Sequence, residues 1–136
     1  MTPTIKEISA EETYPLRHTV MWPNKPIAYI QLAEDNKGIH FGLYVKEQLV
    51  TVCSLFIENQ SAQFRKLATL TQEQGKGYAS RMIEHIIAYA KEQNARDIWC
   101  NARANKTSFY KKFNLEETEH KYTKGEIDFI IMKRTL

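Results

Sequence analysis

The amino-acid sequence predicts one mixed α/β domain. Apolar runs of strand length recur along the chain, and segments of helical period interrupt them. A loop carrying two glycines joins one of the strands to the clearest helix. No repeat, low-complexity tract or linker divides the 136 residues, so residues 1–136 are read as a single domain. With 43% hydrophobic and 26% charged residues, the chain can bury one ordinary core.

Each element follows from local chemistry. Thr4–Ile8 reads as a short strand. Ser9 and Glu12 make a capping box, so a helix is expected from there to about Val20. Pro23 and Pro26 end it, because a proline pushes its predecessor out of helical geometry, and an irregular stretch begins. His40–Val45 and Leu49–Ile57 read as strands joined by a tight turn at Lys46-Glu47-Gln48. Ala62–Leu70 is the next strand, and the loop Gln74–Ala79 follows it. Ala79, Met82, Ile83, Ile86, Ile87 and Ala90 then form one apolar stripe at helical period, with Arg81, Glu84, Lys91 and Glu92 outside it. Asn94 is placed to end this helix in a left-handed conformation. Ile98–Ala102 is a strand, and Thr107–Phe113 a short helix closed by Asn114. Glu117–Tyr122 and Ile127–Lys133 are the last strands, turned at Lys124-Gly125.

Several function classes are not expected. The net charge of +3 is spread along the chain, without the basic face of a nucleic-acid binder. No apolar stretch reaches the roughly 18–20 residues of a membrane span; the longest, Val50–Ile57, is interrupted by Thr51 and Ser54. Met1-Thr2-Pro3-Thr4 has neither a basic nor an apolar leader region, so no signal peptide is expected. Cys53 and Cys100 lie in apolar runs and read as two reduced core thiols of a cytoplasmic protein; their spacing binds no zinc, and no metal is expected.

The segment Gln74-Gly75-Lys76-Gly77-Tyr78-Ala79-Ser80 reads as an anion site. The first N–H groups of a helix lack intrahelical partners, and the helix dipole favours negative charge there. Gly75 and Gly77 let a phosphate approach the backbone, and Lys76 adds a positive charge. The glycine spacing fits neither the Rossmann nor the Walker pattern. A plain tight turn is the competing reading.

Gln74, Gly77 and Ala79 fill the Gln-x-x-Gly-x-Ala pattern, which resembles the pyrophosphate loop of the GNAT family of N-acetyltransferases. Trp99-Cys100-Asn101-Ala102-Arg103 and Phe109-Tyr110-Lys111-Lys112-Phe113 resemble that family's next strand and helix, with Asn114 where Gly is usual and Leu115 in place of Phe. Within the family the sequence is most similar to the glyphosate N-acetyltransferase-like bacterial branch. Leu16-Arg17-His18 with Pro23-Asn24-Lys25-Pro26, Leu67-Ala68-Thr69-Leu70 and Ile98–Arg103 carry that similarity.

The resemblance implies a GNAT fold: a mostly antiparallel sheet with one splayed parallel strand pair and helices on both faces. It implies transfer of an acetyl group from acetyl-coenzyme A to a small-molecule amine, by a monomer or homodimer. Leu67, Ala68 and Thr69 would bind the pantetheine through their backbone, one N–H there polarising the thioester carbonyl. Gln74, Gly75, Lys76, Gly77, Tyr78, Ala79 and Ser80 would hold the pyrophosphate. Tyr110 would stand near the sulfur and donate to the departing thiolate; the alternative is an aromatic packed in the core. Arg65 and Arg103 would hold anionic groups of the acceptor through their bidentate forks; the alternative is two solvated or salt-bridged arginines. By strand alternation Arg65, Leu67 and Thr69 share one face. Trp22 and Phe129 stand where that branch has an Arg and a His, so an acceptor with one acidic group and an apolar part is expected, and no base is named. A non-catalytic acyl-coenzyme A module and a protein N-acetyltransferase are the competing functions.

Overall fold

Ser9 turns the chain from strand to helix through the capping box that its sequence requires. The computed structural model describes residues 2–136. Strand β1 (Thr4–Ile8) ends at Ser9, whose hydroxyl accepts the Glu12 N–H at 3.2 Å while the Glu12 carboxylate accepts the Ser9 N–H at 3.0 Å. Helix α1 (Ala10–Met21) follows. The irregular stretch after it contains two 3-10 turns, Ile27–Ile30 and Asp35–Lys37, which no local sequence pattern had marked. Strands β2 (Ile39–Val45), β3 (Gln48–Glu58) and β4 (Ser61–Thr69) form an antiparallel meander. Lys46 and Glu47, at φ 51° and 68°, make the first turn, and Gln48 already belongs to β3.

Helix α2 (Tyr78–Glu92) buries the expected stripe, Met82, Ile83, Ile86, Ile87 and Ala90. Burying each large side chain of that stripe contributes roughly 1.5–3 kcal/mol. Asn94 takes the left-handed conformation at φ 63°, and Asn114 does so at φ 65°. Strand β5 (Asp97–Arg103), helix α3 (Thr107–Lys111), and strands β6 (Glu116–Lys124) and β7 (Ile127–Thr135) complete the chain. The last turn uses Gly125 and Glu126, one residue later than expected.

The sheet runs β1-β2-β3-β4-β5-β7-β6. Its one parallel pair is β4 with β5. Helix α1 packs on one face through Leu16 against Val52 and Ala68. Helices α2 and α3 cover the other face, where Phe41, Leu55, Phe64 and Ile98 meet the α2 stripe and Phe113. Helices therefore lie on both faces of a mostly antiparallel sheet, as expected.

Two irregularities position the site. First, β4 and β5 pair only at Ser61↔Asp97, Ala62↔Ile98 and Gln63↔Trp99, and then part. Both strands continue, to Thr69 and to Arg103, without pairing each other. Second, β4 bulges. Val52 pairs with Ala68 but Ser54 pairs with Arg65, so Lys66 and Leu67 both stand opposite Cys53. Lys66 takes φ 59° there, a left-handed conformation that costs a non-glycine residue roughly 1–2 kcal/mol.

The bulge corrects the expectation that Arg65, Leu67 and Thr69 share one face. One extra residue flips the side-chain parity of the strand beyond it. Arg65, opposite Ser54, and Ala68, opposite Val52, lie on the α1 face. Thr69 lies on the opposite face, where its hydroxyl meets that of Thr51 at 3.0 Å, and Leu67 packs against the α2 side of the core.

Candidate active site

The parting of β4 and β5 leaves strand edges whose inward backbone groups have no strand partner. An extended chain bearing amides can enter such a gap and complete the hydrogen bonds. Leu67, Ala68 and Thr69 form the β4 side of it. The end of β4 leads through a 3-10 turn at Thr71–Glu73 into the glycine loop. Gln74 donates its amide N–H to the Thr69 carbonyl at 3.1 Å, which ties the loop to the strand. Lys76 is ion-paired with Glu73 at 2.7 Å, which compensates part of the positive charge that the sequence assigned to the loop.

Gly77 is the N-cap of α2, at φ 85°, with no side chain capping the helix. Gly75 has φ 80°. A Cβ at either glycine would meet no protein atom within 4 Å. The first N–H groups of α2, at Tyr78, Ala79 and Ser80, are therefore open to an anion, and the helix dipole favours one there. A groove of about 520 Å³ between α2 and the segment that follows α3 starts beside them at Ser80 and is lined by Glu84, Lys91, Lys112 and Arg134.

Tyr110 lies on α3, between Phe109 at 5.1 Å and the Phe64 ring of β4 at 5.8 Å. Burial pushes its hydroxyl well above the ordinary phenol range; the nearby thiols of Cys100 and Cys53 add to this, and Arg103 opposes it. The phenol thus keeps its proton at neutral pH. Burial also pushes the Cys100 thiol up to about 12 and the Cys53 thiol higher. Both cysteines are free and inert toward nucleophilic chemistry. Cys53 donates a weak hydrogen bond to the Arg65 carbonyl at 3.6 Å, beside the bulge.

The candidate acceptor residues fall into two groups. Arg103 ends β5, exposed, directly opposite Phe129 of β7 and within electrostatic reach of Tyr110. Phe129 stacks on Tyr122 at 5.2 Å, with 16° between the rings, and Arg65 lies within electrostatic reach of Tyr122. Arg103, Phe129 and Tyr122 thus stand side by side across β5, β7 and β6. A depression of about 410 Å³ between the start of α3 and the β6–β7 hairpin adjoins them, lined by Ala104, Thr107, Tyr122 and Phe129. Trp22 meets a different ring, that of Tyr29, at 5.2 Å, on the loop after α1. Arg65 faces Glu34 at 3.7 Å and lies over the Phe56 ring at 5.9 Å.

Sequence reasoning missed Tyr122, Glu34 and Lys66. Tyr122 was legible only as a strand residue, and Glu34 sits in the irregular stretch. Lys66 is placed by the bulge, for which the sequence carries no signal. Among the described residues no group of three or more His, Cys, Asp or Glu is gathered to hold a metal. Among the described residues no helix is long and apolar enough to cross a membrane.

The profile of the acetyltransferase (GNAT) domain family matches residues 6–136. The chain belongs to the GNAT acetyltransferase family. It is 28% identical to the uncharacterized N-acetyltransferase YitI of Bacillus subtilis (strain 168), over 97% of this chain and 95% of that protein. The fold matches a putative N-acetyltransferase from Lactobacillus plantarum with a TM-score of 0.88 at 16% identity, covering 100% of this chain and 99% of that one. It also matches a GNAT family acetyltransferase from Elizabethkingia anophelis solved with acetyl-CoA bound, with a TM-score of 0.78 at 14% identity over 98% of both chains. This GNAT protein is accordingly an acyl-CoA N-acyltransferase.

Proposed function

We propose that this GNAT chain, as one domain over residues 1–136, moves the acetyl group of acetyl-coenzyme A to a small amine that carries an acidic group. The observation that carries the reading is the open β4–β5 gap running into an uncapped glycine-bearing helix start. The pantetheine would lie along Leu67–Thr69, and the pyrophosphate on the backbone of Gln74–Ser80. These residues fit such a cofactor because their backbone groups lack strand or cap partners. The glyphosate N-acetyltransferase-like segments noted above support an amino-acid-like acceptor.

The amine, entering neutral, would attack the thioester carbonyl carbon; the C–S bond breaks as the tetrahedral adduct collapses, the nitrogen loses one proton to water, the sulfur gains one from Tyr110, and water reprotonates the phenol. An N–H at the bulge polarises the carbonyl oxygen, and Tyr110 donates to the departing sulfur. The burial that raises the phenol keeps Tyr110 protonated and so able to donate. Holding amine and thioester together supplies much of the rate. Arg103 would bind the acidic group, with Arg65 behind it and Phe129 supplying apolar contact. Trp22, paired with Tyr29, would act at the rim of the acceptor space.

Two experiments test this reading. Gly77→Val places a branched side chain where the phosphate would sit. No protein atom lies within 4 Å of a Cβ there, and a branched residue is strained at φ 85°, so the variant should fold with a lower Tm. Calorimetry should show acetyl-coenzyme A affinity reduced by about tenfold or more, since hydrogen bonds to charged groups contribute about 1.5–3 kcal/mol each. Unchanged affinity in a folded variant rejects the cofactor placement. Release of free coenzyme A thiol should be followed with amino acids, their amides and simple amines. Arg103→Ala should raise KM for the acidic amine about tenfold or more and leave that for acetyl-coenzyme A nearly unchanged. Neutral or cationic amines proving better substrates, or an unchanged acceptor KM in Arg103→Ala, rejects the acidic-acceptor reading.

A further inference from the structure

Among the described residues, Lys66 is the one non-glycine residue with positive φ inside a strand; the others stand in turns or beyond helix ends. A glycine would take the bulge conformation without strain, so a lysine is kept here against the backbone's preference. Strain of this kind clusters at active sites and ligand clamps. The side chain is half-buried and takes part in no ion pair among the described residues.

The bulge sets this amine beside the gap. Lys66 immediately precedes Leu67, where the β4 side of the gap begins, and their Cα atoms are about 3.8 Å apart across the peptide bond. The Lys66 ammonium feels the charges of Arg17, Arg65 and Asp35. These belong to the α1 face, where Arg17 binds both Asp35 and Ser54 and where Arg65 stands opposite Ser54. It also feels Lys124, which ends β6 beyond β5 and β7. The stem therefore leans from β4 over the gap on the α1 face. The start of α2 belongs to the other face, where Tyr78 packs with Leu67 on the core. A cofactor held there presents its thioester in the gap, and an amine reaches the carbonyl from the α1 side, where Lys66 already stands. Burial, then the charges of Arg17, Arg65 and Lys124, hold the Lys66 ammonium below its ordinary range, while Asp35 acts the other way. A larger share of the side chain is thus the neutral amine, the form that attacks.

We propose that Lys66 is a self-acetylation site: with no external amine present, its Nζ takes the acetyl group of acetyl-coenzyme A bound in the gap of the same chain. The proposal rests on the cofactor placement above. The ammonium first gives one proton to water. The neutral Nζ attacks the thioester carbonyl carbon, the N–C bond forms and the C–S bond breaks. The nitrogen releases a second proton to water, the sulfur takes one from Tyr110, and water reprotonates the phenol. Coenzyme A leaves as the free thiol, and the side chain becomes a neutral amide. One cation is thereby removed from beside Arg17, Arg65 and Lys124, and their mutual repulsion falls.

The test incubates the protein with acetyl-coenzyme A and no acceptor, and follows acetylation by intact mass and peptide mapping. One acetyl group should appear at Lys66 about tenfold or more faster than at the exposed Lys46 and Lys91, because an amine held at the thioester does not have to be met from solution. The rate should be independent of protein concentration. Lys66→Arg keeps the charge and cannot be acetylated in this way, so it should show no fast phase. Gly77→Val should slow the reaction at Lys66 about tenfold at low acetyl-coenzyme A, in step with its lost affinity. Acetylation of Lys66 no faster than that of Lys46 and Lys91, in protein whose acetyl-coenzyme A affinity does fall in Gly77→Val, overturns the self-acetylation site and leaves the cofactor placement standing. A rate that rises with protein concentration overturns transfer within one chain. An affinity unchanged in Gly77→Val overturns the placement and this proposal together.

Discussion

Replacing Arg17 with methionine should destabilise the protein by about 3–5 kcal/mol, the cost of removing one partner of a buried ion pair. Arg17 is fully buried, and its guanidinium holds Asp35 with two bonds, at 2.9 and 3.0 Å. It also donates to the Ile30 carbonyl at 3.1 Å and to the Ser54 hydroxyl at 2.9 Å. Asp35 accepts the Leu32 N–H at 2.9 Å and the Tyr14 hydroxyl at 3.2 Å. The network extends through His40, whose Nε2 lies 2.8 Å from the Asp35 carbonyl. A carbonyl can only accept, so Nε2 carries the proton and Nδ1 accepts from Ser54 at 2.6 Å. One ion pair thus fastens the stretch between α1 and β2 to the centre of the sheet. Domains of this size have about 5–15 kcal/mol in hand, so the loss is a large share of the total.

The effect should depend on pH in a defined direction. Burial alone would raise the Asp35 carboxyl; the hydrogen bond and charge of Arg17, the Leu32 N–H and the Tyr14 hydroxyl overcome it and hold it below the ordinary range. A depressed carboxylate contributes stability above its unfolded pKa and loses it as pH falls through the folded value. Without Arg17, burial dominates and the shift reverses. The gap between the two proteins should therefore be widest near neutral pH and narrow below about pH 4. Urea unfolding at pH 7 and at pH 3.5 checks this. Equal gaps at both values would mean that the charge of Asp35 is not what Arg17 supports. The double substitution Arg17→Met with Asp35→Leu should recover part of the loss, because no buried charge is then left unpaired.

Tyr110→Phe should lower kcat by about 10²–10⁴-fold if the hydroxyl acts as general acid. The ring stays between Phe64 and Phe109, so Tm should move little and acetyl-coenzyme A affinity should stay nearly the same. Single-turnover kinetics separate the chemical step from product release. A loss of only about tenfold would mean that the hydroxyl steadies the sulfur by a hydrogen bond without transferring its proton. An unchanged chemical step would make Tyr110 a core aromatic and nothing more.

Much of the fold is legible in local pattern. The capping box at Ser9, the apolar stripe of α2 and the left-handed asparagines at 94 and 114 each appear where the sequence places them. The candidate cofactor loop was equally legible, because two glycines before an apolar helical stripe are a local signal. The role of Gln74 was not, since its partner is the carbonyl at the end of β4. Trp22 and Phe129 were expected to contribute to one acceptor pocket, and which rings they pack on, Tyr29 and Tyr122, was not legible. Which aromatic meets which depends on strand register and on the path of residues 22–38, and neither is written in a short window.

The sequence by itself determined the element types, their order and the uncapped, glycine-bearing start of α2. Periodicity, capping and turn chemistry act within about one or two helical turns of chain, so neighbouring residues suffice to set them. The tertiary structure alone decided three things: where β4 leaves β5, where β4 bulges, and what Arg17 binds. Each depends on residues distant in the chain. The gap needs β3 and β7 to hold the two strands from their outer sides while nothing joins them in between. The bulge is a mismatch of one residue between β3 and β4, and it moves Arg65 to one face and Thr69 to the other. Arg17 and Asp35 pair across 18 positions because both side chains are buried, where bulk solvent cannot stabilise an unpaired charge.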